Sequence, residues 1–361
     1  MNRSTAMTFF RYILCAATIG ATVHAHAQQP RIVVQHAGDV QVFHDLTEAI
    51  TAAQNNADIY LSGGTFIALD GFALDKTLHF IGAGVHTDST AATGATILTA
   101  GGSAYFRLTT GANGSSFRGI EFNTPGSNTC FGLGTGAGDQ NVESVEFHRC
   151  VFWQRVALGA VTPAASSSAF TECIFHQVLS GYDATTAVTR CIFDYQAGTG
   201  AEITEFGTGG LSMLNCVCLG SRVGNSAGAS VSNCVFTRTT APFWQSNGMT
   251  ITNNLLVSDA LVSNMSSFTE SGNILNVPVG TIFMGEGDTD YQFSDDLHLQ
   301  SSCPGVGAGT DATDMGIYGT DSPYKEGAVP HTPHFIEVGI APGTDVNGNL
   351  PVSVRVAAQA Q

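Results

Sequence analysis

Lysine is nearly absent from this chain: Lys76 and Lys325 are the only two among 361 residues. Charge of either sign is sparse at 12%, and 13 Lys and Arg face 29 Asp and Glu. That balance excludes a nucleic-acid partner, because phosphate binding needs clustered Lys and Arg. It also disfavours an acidic polysaccharide, unless a cation bridges the two. Apolar runs are short. The longest, Tyr12–Val23, falls below the ~20 residues of a spanning helix, so no membrane insertion is expected. No C-x-x-C pair occurs, which argues against a structural zinc site. The Gly-rich run Phe131–Asp139 carries no lysine, which removes a phosphate cradle and leaves a solvent loop as the expectation.

The N terminus reads as a secretory signal over residues 1–27. Arg3 and Arg11 flank the start of the apolar run, and Ala25-His26-Ala27 supplies an A-x-A cleavage site. Cys15 lacks the small residues that precede a lipid-modified cysteine. Cleavage would leave 11 cationic residues against 29 acids, a net charge of −18. The expected location is secreted, either extracellular or at the cell surface.

One short phrase recurs through the middle of the chain: VEFHRCVF (Val145–Phe152), SAFTECIF (Ser168–Phe175), TAVTRCIF (Thr186–Phe193), LSMLNCVC (Leu211–Cys218), ASVSNCVF (Ala229–Phe236) and MTITNNLL (Met249–Leu256), with a frayed copy ending at Leu275. Its anchors Cys150, Cys173, Cys191, Cys216, Cys234 and Asn254 lie 23, 18, 25, 18 and 20 residues apart. A unit this short, rich in β-branched and aromatic residues, predicts strand–turn–strand stacked on copies of itself. Apolar residues three before the anchor and two after it would form ladders about 4.8 Å per step.

Eight cysteines follow the signal, and secretion favours disulfides. In-register neighbours point their Cβ atoms the same way, however, so the anchors read as small buried hydrophobes. The residue just after each anchor is also apolar: Val151, Ile174, Ile192, Val217, Val235, Leu255. Either the bend resets the alternation and this row lies inside, or it is an outward stripe that something covers. The first is the expectation.

The repeats resemble the right-handed parallel β-helix of the pectin-lyase-like superfamily, in its secreted bacterial form. The likeness runs from about Ile59 to Gly309, and Asp296–Gly319 is similar to the closing segment of such proteins. It implies an all-β fold: one right-handed parallel β-helix solenoid with an N-terminal cap helix, over residues 28–319. Asp45, Glu48 and the apolar face Leu46, Ala49, Ile50, Ala53 predict that helix. Residues 320–361 read as a linker and a β-hairpin tail.

The fold hosts many chemistries, so function rests on side chains. The G-H-G and R-I-K patterns of polygalacturonases and the W-I-D-H of pectate lyases do not occur. Before the anchors, Arg149, Glu172 and Arg190 predict a salt-bridged ladder, and Asn215, Asn233 and Asn253 resemble an asparagine ladder. Three residues after the anchors, Trp153, His176 and Asp194 would stand on neighbouring coils. Trp153 could stack a sugar, with Glu202 and Glu205 as further substrate-binding candidates; His176 and Asp194 are the catalytic candidates. No cofactor is called for, and no metal ligand is assigned. Ca²⁺ is the one ion that the acidic run Asp288, Asp290, Asp295, Asp296, Asp311 and Asp314 could take. The expected role is a non-catalytic carbohydrate-binding or structural protein outside the cell. The alternative is a polysaccharide lyase or glycoside hydrolase, and the partner in either case is a polysaccharide or cell-surface glycan.

Overall fold

The computed structural model describes residues 30–68, 72–86, 90, 93–101, 105–195, 202–325, 334–341 and 343–357. The expected signal peptide and residues 326–333 of the expected linker lie outside them.

Within these residues the chain winds as coils of three short strands, and equivalent strands of successive coils pair in parallel. Sheet 1 takes the first strand of each coil, such as Val145–His148 and Ser167–Thr171. Sheet 2 takes the second, such as Val151–Phe152 and Ile174–Phe175. Sheet 3 takes the third, such as Arg155–Ala157 and Leu179–Ser180. This is the all-β parallel β-helix solenoid that the repeats predict. The ladders are in the predicted register: Phe147 pairs with Phe170 and Phe170 with Val188, while Phe152 pairs with Phe175 and Phe175 with Phe193. Ring centroids of Phe147 and Phe170, and of Phe175 and Phe193, are 4.6 Å apart, so successive coils stack their rings face to face.

The anchors sit at the bend between sheets 1 and 2. The residue before each one adopts a left-handed backbone, with φ from +51° to +56° at Arg149, Glu172, Arg190, Asn215, Asn233 and Asn253. Asn tolerates that conformation; Arg and Glu do so at a cost. The cysteines are free and buried. They do more than fill space. Cys191 Sγ accepts the Cys173 N–H and Cys234 Sγ the Cys216 N–H, both at 3.3 Å, and Asn254 Oδ1 accepts the Cys234 N–H at 2.9 Å. Sulfur thus takes the place of an asparagine oxygen along the bend.

The row after the anchors is not inside. Each sheet 2 strand after an anchor is two residues long and keeps its alternation, so Phe152 and its equivalents face the interior while Val151, Ile174, Ile192, Val217, Val235 and Leu255 face outward. These six join a second apolar cluster with Val277, Ile282, Phe283, Leu297, Met315, Ile317 and Tyr324. The parallel coils therefore end at Phe268–Ser271, short of the expected Gly309. The chain beyond them returns over the outer face of sheet 2 as a cover.

At the other end, helix α1 (Leu46–Ala52) buries Leu46, Ala49 and Ile50, with Asp45 Oδ1 accepting the Glu48 N–H at 2.9 Å. Lys76 Nζ donates to the Ile50 and Ala53 carbonyls at 3.1 and 3.0 Å, satisfying the helix C terminus. An antiparallel hairpin, Ile32–His36 with Asp39–Phe43, extends sheet 1 past the first coil. The run read as a solvent loop differs: Thr129–Leu133 is a sheet 3 strand, with Phe131 fully buried. The C-terminal hairpin forms as read, His334–Ile340 against Val352–Ala357.

Candidate functional site

Trp153, His176 and Asp194 each follow the inward Phe that ends a sheet 2 strand, where the chain turns toward sheet 3. The coils are stacked, so the three side chains form one line. The Trp153 and His176 rings lie 4.1 Å apart at 22°, and His176 Nδ1 is 2.6 Å from Asp194 Oδ2. The structure brings these three together as the spacing predicts. Trp153 is 42% exposed and Asp194 8%, so the aromatic face is open while the carboxylate is held.

Two features of the line were not read from the sequence. The cover contributes the first. Tyr291 N–H donates to Asp194 Oδ2 at 3.1 Å, and Thr289 to Gln292 form one wall of a cleft of about 710 Å³ whose other wall carries Trp153, His176 and Asp194. The second is Glu121. It pairs with Val151 in sheet 2, one coil before Trp153. Its carboxylate accepts from Asn123 Nδ2 at 3.3 Å, and the Trp153 side chain lies beside it. Burial pushes the Glu121 carboxyl above the ordinary value, and the neighbouring Asn123, Trp153 and His176 side chains pull against that rise. The signal for it was present. Aligning Gly119-Ile120-Glu121-Phe122 with Arg149-Cys150-Val151-Phe152 puts Gly119 at the left-handed position, where its φ is +62°.

Glu202 and Glu205 stand elsewhere. They bracket the sheet 3 strand Ile203–Thr204, so they lie around the corner from the line. Glu202 is buried, accepts the Arg222 N–H at 2.8 Å and lies 3.9 Å from Arg238. Glu205 accepts from Ser180 Oγ at 2.6 Å and lies 3.7 Å from Arg155. This side of the solenoid carries stacked guanidinium–ring pairs: Arg107 on Tyr105, Arg155 on Tyr182 and Arg222 on Trp244, at 4.4, 5.2 and 4.7 Å.

The Arg149–Glu172–Arg190 ladder predicted before the anchors forms. Glu172 bonds Arg149 Nε at 2.7 Å and Arg190 at 3.3 Å, all three beneath the surface. The asparagines bond to the cover more than to one another. Asn215 Nδ2 donates to Gly316 O at 3.0 Å and Asn253 Nδ2 to Ala308 O at 2.8 Å.

Among the described residues no group of three or more His, Cys, Asp or Glu side chains is placed to hold a metal. Nor is any helix among them long and apolar enough to cross a membrane. Compared with models of known protein families and with curated proteins, the chain matches none.

Proposed function

We propose that this is a secreted, pectin-lyase-like protein that binds a polysaccharide or cell-surface glycan outside the cell, in the cleft carrying Trp153, His176 and Asp194. One observation carries the reading: an exposed indole stands at a polar cleft with His176 stacked on one face at 4.1 Å. Sugar C–H faces pack on aromatic faces, and sugar hydroxyls bond carboxylates and imidazoles. A ring already held against His176 loses little entropy on binding. The secretory signal pattern supports the location. Binding to a glycan panel, wild type against Trp153→Ala, tests the reading. It fails if no glycan binds, or if the substitution leaves binding intact.

The 2.6 Å His176–Asp194 pair favours a second reading, a carbohydrate-active lyase or hydrolase. A carboxylate accepting from Nδ1–H fixes the tautomer that leaves Nε2 as proton acceptor, or as donor once the ring is protonated. His176→Ala would then abolish turnover on a bound glycan while leaving its binding nearly unchanged.

A further inference from the structure

The charge around Trp153 is one-sided. The cleft walls carry the carboxylates of Asp194 and Asp290, and no Lys or Arg lines them; His176 is the one lining residue able to turn positive. Its charge, when present, is opposed at 2.6 Å by Asp194. Behind the indole sits a third carboxyl, Glu121, whose climb above the ordinary value has burial as its largest cause. The arginines stacked on rings, Arg107, Arg155 and Arg222, belong to the sheet 3 side.

An aromatic face draws cations through its quadrupole, and more so when desolvated. An acidic sugar entering here would set its carboxylate against two others, a like-charge penalty. A neutral sugar would gain stacking and hydroxyl hydrogen bonds but no charge pairing. We infer that the Trp153 cleft takes a cationic sugar: an amino-sugar glycan with free ammonium groups, its ring on Trp153 and its ammonium toward Asp194 and Asp290. This rests on the glycan reading above and narrows it to one charge class.

The experiment compares oligomers alike in length and linkage: a glucosamine oligomer, its fully N-acetylated twin, and an oligogalacturonate as the acidic control. Binding is followed by Trp153 fluorescence and calorimetry, at a pH where the amine holds its proton. N-acetylation removes the charge and keeps the ring. The free-amine oligomer should bind roughly tenfold tighter than its twin, between an exposed and a desolvated cation–π contact in size. Salt should weaken the first and spare the second. Asp290→Asn, at an exposed position outside the His–Asp pair, should narrow the gap between the two affinities, chiefly by weakening the free-amine oligomer. Equal affinities in the wild type overturn the inference, as does a preference for the acidic oligomer. If only neutral or acidic oligomers bind, and Trp153→Ala abolishes that binding, the inference fails and the glycan reading stands. If no oligomer binds through Trp153, both fail.

Discussion

Asn233 and Thr310, 77 positions apart, hydrogen-bond in both directions: Asn233 Nδ2 donates to Thr310 Oγ1 at 3.0 Å, and the Thr310 N–H donates to Asn233 Oδ1 at 2.9 Å. Asn233 also accepts the Gly316 N–H on its own carbonyl at 2.7 Å. One bend residue thus holds the cover at two points. The cover in turn hides the outward apolar row and closes the cleft at Tyr291.

Removing the cover should therefore unmake more than the tail. A chain ending at Asn276 would bare Val151, Ile174, Ile192, Val217, Val235 and Leu255, a contiguous apolar stripe of the kind that drives association. We expect aggregation and strong binding of a hydrophobic dye, read by size-exclusion chromatography and fluorescence. Asn233→Ala, milder, should cost roughly 1–3 kcal/mol in urea unfolding, because the Thr310 N–H loses its acceptor.

Glu172 neutralises two arginines beneath the surface, one at 2.7 Å and one at 3.3 Å. Glu172→Ala would leave both cations without their shared carboxylate. Breaking a buried pair in this way costs about 3–5 kcal/mol, well above the loss of an exposed one. Chemical unfolding of the variant should show that drop. A loss under about 1 kcal/mol would mean that the ladder is already well hydrated.

The eight described cysteines are free and buried, and burial pushes the thiols of Cys173, Cys218 and Cys234 well up. Thiolate is the reactive form, so the native protein should resist thiol reagents at mildly alkaline pH. Once the protein is denatured without reductant, all eight of these described cysteines should react in a thiol count. Cys191→Ser should cost roughly 1–3 kcal/mol, since the hydroxyl must replace a sulfur that now accepts the Cys173 N–H.

The coils were legible because each repeat carries its own register. Phe147 and Phe152 straddle Cys150, and every later copy repeats that spacing. The line Trp153, His176, Asp194 was legible for the same reason, since stacking turns equal offsets into neighbours. The cover was not. Its contacts join Asp194 to Tyr291 and Asn215 to Gly316, separations of 97 and 101 residues that follow no repeat. The clue was indirect: Val151 and its equivalents are apolar on a face that alternation points outward, and such a row needs a partner. Glu202 and Glu205 were grouped with the line by closeness in sequence alone. The turn from sheet 2 to sheet 3 carries them around the corner.

The loop that carries Tyr291 should respond to pH through Glu286. Its carboxyl is pushed up to about 7, first by partial burial and then by Asp295 and Asp288 beside it, while the Asp288 N–H on its Oε1 pulls the other way. The folded loop therefore binds more protons than the open one between the ordinary carboxylate value of 4.5 and about 7. Linkage then sets the sign. Glu286's contribution to the closed loop is whole below that window and is lost as pH rises through about 7. Tyr291 reports it directly, because its N–H is protected by Asp194 at 3.1 Å. Hydrogen exchange at Tyr291, corrected for the intrinsic effect of hydroxide, should speed up from about pH 5 to about pH 7 and level off above it. Glu286→Gln, which cannot ionise, should flatten that rise and keep the amide protected at higher pH. An identical pH profile in the two proteins would remove Glu286 as the cause.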